Sequence, residues 1–179
     1  NSSKLYLNRE NREVLIEGEG QIDLGGIAKG YLIDEIVSLL RKEKVPQALI
    51  NAGGEIFVLG KETKVGIRHP RQEKLLGYVV IKNEAASTSG DYYRFFEEGG
   101  MRYHHILNPF TGYPGRDFQA VTVISEEAVF ADILSTAIMA GGKEALAVVE
   151  KKFPEVKILT IEEDKIYLSS SMEKVFFAE

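Results

Sequence analysis

Ala48-Leu49-Ile50-Asn51-Ala52-Gly53-Gly54-Glu55-Ile56-Phe57-Val58-Leu59-Gly60-Lys61-Glu62-Thr63-Lys64-Val65-Gly66-Ile67-Arg68 holds three short runs rich in Ile, Leu and Val. The spacing predicts strands over Ala48–Asn51, Ile56–Leu59 and Lys64–Arg68, each bounded by Gly, Asn or charge. No helical pattern separates them. Strands that follow one another directly pair antiparallel, because a parallel pair needs a long crossover. The stretch therefore predicts an α+β fold with mixed or antiparallel sheets, and argues against a doubly wound parallel sheet. Further strands are expected at Glu13–Glu17, Tyr78–Lys82, Val121–Ser125, Val156–Ile161 and Lys165–Ser169. The last two read as a hairpin through Glu162-Glu163-Asp164. Leu32, Ile36, Leu39 and Leu40 recur at i, i+4, i+7 and i+8, which predicts an amphipathic helix from about Ile27 to Lys44. A second helix is expected after Ser125 as N-cap, with Glu126 and Glu127 in its first turn and a stop at Gly141-Gly142. A third should run from Lys143 to about Lys152, before Pro154. The expected count is thus about three main helices.

Composition narrows the function classes. The 179 residues carry 22 Lys and Arg against 27 Asp and Glu, a net charge of −5. That mild acidic excess argues against a dedicated nucleic-acid binder. With 44% hydrophobic and 27% charged residues the chain is globular in composition and long enough for one domain with a real core. There is no cysteine, which excludes disulfides, thiolate zinc sites, iron–sulfur clusters and a cysteine nucleophile. No apolar run approaches the roughly 18 residues of a membrane span. The chain opens at Asn1 with no signal-like segment, and is expected to be a processed or truncated piece of something longer.

Four polar segments stand out. Asp23-Leu24-Gly25-Gly26-Ile27-Ala28-Lys29-Gly30 meets a helix N-terminus, where free N–H groups and the dipole suit a phosphate and Lys29 adds positive charge. Tyr31-Leu32 follows where a P-loop needs Lys-Ser/Thr, and GxGxxG is not satisfied either. A helix-capping glycine turn with a surface lysine explains the same residues. Asn51-Ala52-Gly53-Gly54-Glu55 lies between two strands and reads most simply as a hairpin turn. Ser87-Thr88-Ser89-Gly90-Asp91-Tyr92-Tyr93-Arg94 precedes Tyr103-His104-His105-Ile106-Leu107-Asn108-Pro109-Phe110-Thr111-Gly112-Tyr113-Pro114. Adjacent histidines in a strand point to opposite faces, so the pair is unsuited to chelating one metal. One ring is then free to act as a general base while the other packs. Finally, Asp132 and Thr136 lie one turn apart on a helix, outside the apolar stripe of Phe130, Ile133, Leu134, Ala137 and Ile138. Together they can offer oxygens to a hard cation such as Mg²⁺, or simply form a solvated polar face.

In this order the motifs resemble the ApbE family over roughly Glu17 to Gly142. The carriers are Asp23 to Tyr31, Asn51 to Glu55, Thr88 to Tyr92, His105 to Pro114 and Ala131 to Ala137. The resemblance implies a Mg²⁺-dependent FAD:protein FMN transferase. Such an enzyme cleaves FAD, places FMN on a Thr or Ser hydroxyl of an acceptor protein and releases AMP. It implies metal ligation by Asp132, Thr136 and the Gly26 carbonyl. It also implies FAD contacts from Asp23, Lys29, Gly53, Gly54 and Ile106, and His105 as the catalytic histidine. The expected partners are FAD and a flavin-carrying subunit of a membrane redox complex. Residues 1–179 would form the C-terminal portion of such a protein, with the N-terminal part and its flavin-ring contacts absent. Family members are commonly exported and lipid-anchored through that part. Two alternatives stay open on the same site: a metal-dependent FAD pyrophosphatase, and a flavin-binding module without turnover. Asn108 departs from the family's usual Asp. An Asp that orients His105 would be missed, whereas a turn cap is served equally by Asn.

Overall fold

The computed structural model describes residues 4–163 and 165–179. In chain order it runs β1 (Leu5–Asn8), β2 (Glu13–Ile16), α1 (Ala28–Lys42), β3 (Ala48–Ala52), β4 (Glu55–Leu59), β5 (Thr63–Arg68), β6 (Leu75–Ile81) and β7 (Glu84–Gly90). It continues through β8 (Phe95–Glu98), β9 (Met101–His104), β10 (Ala120–Ser125), α2 (Ala128–Lys152), β11 (Lys157–Glu162), β12 (Lys165–Leu168) and β13 (Phe176–Ala178). Six strands form the main sheet in the order β12-β11-β10-β7-β4-β3, and every pairing in it is antiparallel. A three-stranded sheet, β13-β6-β5, packs on one face, while the β1-β2 and β8-β9 hairpins stand apart as two-stranded sheets.

The strand alternation expected from period-2 patterning divides the core in two. Phe57, Leu59, Val121 and Val123 point to the helices, where Ile33, Val37, Leu134 and Ile138 meet them. Val58, Ala120, Ile124 and Leu159 point the other way, onto Val65, Ile67, Val79 and Ile81 of the small sheet. The main sheet is thus sandwiched between two largely apolar cores, with buried Ser87, Ser89, Ser135 and Asp132 among the polar exceptions on the helix side.

The α+β class expected from Ala48–Arg68 is the one observed. The helix count is not: there are two helices, because α2 continues past Gly142 as one element with a kink there. Gly142, at φ 66° and ψ −150°, is non-helical at the expected stop, and the Lys143 N–H goes to Asp117 Oδ2 at 2.8 Å, so the segments expected as second and third helices meet there in one kinked element. Ser125 is not the N-cap. Glu127 holds that position with extended backbone, and Asp34 of α1 supplies the cap, its two carboxylate oxygens accepting from the N–H groups of Ala128 and Val129 at 2.8 Å each. The segment between β2 and α1 is irregular and ends in a turn over 25–27. The last two strands do pair, Glu162 opposite Lys165, although Asp164 lies outside the described residues. β7 is the strand whose absence from the sequence reading matters most, since it lies at the sheet's centre and carries Thr88, Ser89 and Gly90.

Candidate functional site

α1 and α2 cross at glycine. A Cβ on Gly30 would lie 2.5 Å from the Ala128 carbonyl oxygen, so the backbones touch only because that side chain is missing. The close approach lets Asp132 of α2 reach the first turn of α1, where its Oδ2 accepts from the Gly30 N–H at 3.0 Å. Asp34 and Asp132 therefore cap each other's helices reciprocally. Asp132 is 2% exposed, so the solvated-face reading of this residue is overturned. The stripe expected from the sequence was displaced: Ile133 is 36% exposed and Ser135 is enclosed.

Around that crossing the structure gathers oxygen. Gly26, in the turn leading into α1, sits against Thr136: a Cβ there would lie 3.0 Å from Thr136 Cγ2 and 3.1 Å from its Oγ1. Thr136 Oγ1 lies 3.3 Å from Ser89 Oγ, and Ser89 and Ser87 both bond Ser135 Oγ, at 3.0 and 3.2 Å. Lys29 crosses to Glu55, its Nζ donating to Oε1 at 2.5 Å. Glu55 is 5% exposed, and its second oxygen, Oε2, has no partner among the described residues. Burial pushes the Glu55 carboxyl above the usual carboxylate range; the Lys29 hydrogen bond and charge pull it back, and the nearby Asp132 charge pushes it up again.

Each expected site residue has a definite place. Asp23 Oδ1 accepts from the Gly25 N–H at 2.7 Å, shaping the turn. Gly53 and Gly54 form the two-residue turn of the β3–β4 hairpin, with φ of +70° and +110°, and Asn51 Oδ1 accepts from the Gly54 N–H at 3.0 Å. The hairpin reading was right, and the turn delivers Glu55 inward. Ile106 packs against the helix-side core. The two histidines separate as expected. His104 is 5% exposed, with Nε2 2.7 Å from the Gly115 carbonyl and Nδ1 accepting from the Ile106 N–H. His105 is exposed, and its Nδ1 lies 3.3 Å from the Arg94 carbonyl, an arrangement that makes Nδ1 the donor and leaves Nε2 a free acceptor. Asn108 does not touch His105 in any hydrogen bond described; its Oδ1 accepts from the Phe110 and Thr111 N–H groups, so Asn serves as a turn cap.

Among the described residues no three His, Asp or Glu side chains are grouped for a metal. A cation here would draw on mixed carboxylate, hydroxyl and carbonyl oxygens, a donor set suited to a hard ion. Sequence reasoning gave no role to Glu55. Its signal was the alternation, since Glu55, Phe57 and Leu59 share the strand face that packs on the helices. Asp91, gripped by Arg71 through hydrogen bonds of 2.7 and 2.5 Å, was also missed as a buried ion pair. A cavity of about 400 Å³ lies beyond the histidine loop, lined by Asn108, Arg116, Asp117 and Gly142 among others, and does not include the oxygen cluster.

Comparison with known proteins places these features in a family. The profile of the ApbE family matches residues 1–160. A protein named FAD:protein FMN transferase from Klebsiella pneumoniae is 33% identical over 98% of this chain and 56% of its own length. One of the same name from Treponema pallidum is 40% identical over 81% of this chain and 44% of its own length. The crystal structure of an ApbE protein from Thermotoga maritima superposes with a TM-score of 0.87 and 34% identity, covering 97% of this chain and 59% of that one. The apo flavinyl transferase ApbE of Pseudomonas stutzeri gives a TM-score of 0.81 at 27% identity, over 100% of this chain and 58% of that one. The chain spans about half the length of the curated relatives it matches.

Proposed function

The chain belongs to the ApbE family, and on that premise we propose that it carries the pyrophosphate- and cation-binding side of an FAD:protein FMN transferase. The observation that carries the reading is the meeting, at the N-terminus of α1, of Asp132 on the Gly30 N–H and Thr136 against Gly26, with the Lys29 ammonium alongside. A helix N-terminus already favours a diphosphate. Asp132, the Thr136 hydroxyl and the Gly26 carbonyl are the groups that would hold Mg²⁺. Bound there, the ion would polarise the pyrophosphate oxygens and offset their charge. Lys29, whose half-exposed ammonium rests on Glu55, would add positive charge beside the same phosphates. His105 Nε2 accepts the proton of an acceptor Thr or Ser hydroxyl, whose oxygen then bonds to the phosphorus of the FMN half. The bond from that phosphorus to the bridging oxygen breaks, and AMP leaves with the electron pair. The acceptor is proposed to be a flavin-carrying subunit of a redox complex.

Contacts to the flavin ring are proposed to come from outside these residues. Ile22, Leu24 and Tyr31, beside the α1 N-terminus, are 48%, 59% and 59% exposed, an apolar surface that further chain would cover. The chain alone should therefore bind ADP with Mg²⁺ about as well as FAD. FAD binding far tighter than ADP contradicts this part of the reading.

Incubation with FAD, Mg²⁺ and a Thr-containing acceptor peptide tests the transfer. AMP with matching FMN mass on the peptide is expected. AMP with only free FMN would identify a pyrophosphatase, and no AMP a binding module.

A further inference from the structure

Glu55 has an oxygen that its ion pair leaves unexplained. The carboxyl is 5% exposed and Lys29 matches only Oε1, while Oε2 is enclosed without a hydrogen-bond partner among the described residues. A bare carboxylate oxygen in the interior is costly, and such atoms persist where something else is meant to meet them. Lys29 and Gly30 are neighbours in the first turn of α1: the Lys29 side chain reaches Glu55, and the Gly30 N–H reaches Asp132. One helical turn is thus bracketed by two buried carboxylates, answered by a single half-exposed ammonium and the partial positive charge of the helix end. The charge balance leaves room for a cation.

Resting on the cation reading above, we propose that Glu55 belongs to the cation site: Oε2 takes the divalent ion held by Asp132 and Thr136, while Oε1 keeps the Lys29 ammonium. One carboxylate would then set the two positive charges side by side, where both could meet a diphosphate. Glu55 is anchored for this task, standing directly after the Gly53-Gly54 turn on a strand of the main sheet. Cation and ammonium repel each other, and a bound diphosphate relieves that repulsion. The site therefore binds divalent ion and diphosphate cooperatively.

The test is calorimetric titration of the chain with MgCl₂ in the absence of nucleotide, folding being checked by circular dichroism. Glu55→Gln should weaken Mg²⁺ by about 10- to 100-fold, as loss of a metal-site partner does. Lys29→Met should bind Mg²⁺ at least as tightly as the unaltered chain, yet lose the gain that ADP brings. Glu55→Gln binding like the unaltered chain overturns the proposal, and so does a loss in Lys29→Met as large as in Glu55→Gln, because Glu55 would then only anchor the lysine. Asp132→Asn separates this from the underlying reading: if it too binds Mg²⁺ normally, the cation site itself is misplaced and both fall. Should Glu55→Gln fail to fold, the unaltered chain crystallised with Mn²⁺ decides, by whether the ion contacts Oε2 or leaves Glu55 on Lys29 alone.

Discussion

α2 is one kinked element, divided in geometry and in character at Gly142. Before the kink it buries Asp132 and Ser135 and brings Thr136 against Gly26. These polar groups are matched by partners from far along the chain: the Gly30 N–H, Ser87 and Ser89. After the kink it is an ordinary amphipathic helix. Val149 is buried, while Lys143 pairs with Glu162 at 2.7 Å and Glu150 accepts from the Tyr167 hydroxyl on the surface. The difference teaches where to look for chemistry. Burying a carboxylate is expensive unless its partners are worth keeping, whereas exposed pairs contribute little in either direction. Substitutions in the first half should strike function, and those in the second should touch stability alone.

The largest effect is expected at Asp132. Asp132→Asn keeps an oxygen for the Gly30 N–H and removes the charge, so Mg²⁺-dependent AMP release should vanish while thermal unfolding moves little. Asp132→Ala also removes the cap and should cost about 1–2 kcal/mol, measurable by urea unfolding. An Asp on a solvated face would cost under about 0.5 kcal/mol. His105→Ala follows, lowering transfer by about 10²- to 10⁴-fold with Mg²⁺ affinity unchanged in the same calorimeter. His104→Ala should instead destabilise the chain by about 1–3 kcal/mol, because it strips two part-buried hydrogen bonds from a buried side chain. Equal loss of activity per folded molecule from both would assign the pair a structural role.

At the kink itself, Gly142→Ala meets a positive φ, and its Cβ would lie 2.1 Å from Asp117 Oδ2. A cost of about 1–3 kcal/mol is expected, read as a fall in Tm, with activity per folded molecule retained. Smallest is Tyr167→Phe. Its hydroxyl donates to Glu150, and that bond raises the phenol from its ordinary 10.0 to about 12. A raised pKa in the folded state contributes stability that is present below pH 10 and lost as pH climbs towards 12. Since Tyr167 is 43% exposed, solvent screens the pair and the change should stay below about 0.5 kcal/mol. A larger effect would mean that the second half is not the plain scaffold described.

How much of this was legible in the sequence follows the same division. Runs with strong local period gave the right elements: the strands of Ala48–Arg68, helix α1, and the separation of His104 from His105. The α1 stripe itself was displaced, since Leu32 and Leu39 are exposed while Ile33 and Val37 are buried. β7 was missed because Glu84-Ala85-Ala86-Ser87-Thr88-Ser89-Gly90 has little β-branched character. Its place at the sheet's centre is set by long-range ladders to β10 and β4, joined by hydroxyl contacts to Thr122 and Ser135, which no local pattern encodes. The Asp132–Thr136 pair was found from its spacing, but its burial was not, since the amide that receives Asp132 lies 102 residues earlier. The cap by Asp34 was hidden for the same reason, at a separation of 94 residues. Glu55 was visible in principle, as a carboxylate in register with core residues.

The central claim is that the crossing of α1 and α2 is a cation-dependent diphosphate site, and ADP titration of the chain with Mg²⁺ and then with the ion chelated tests it most directly. ADP should bind with Mg²⁺ present, lose most of its affinity on chelation, and respond to Mg²⁺ hardly at all in Asp132→Asn. ADP binding that ignores Mg²⁺, or an Asp132→Asn chain that binds as the unaltered one does, would contradict it.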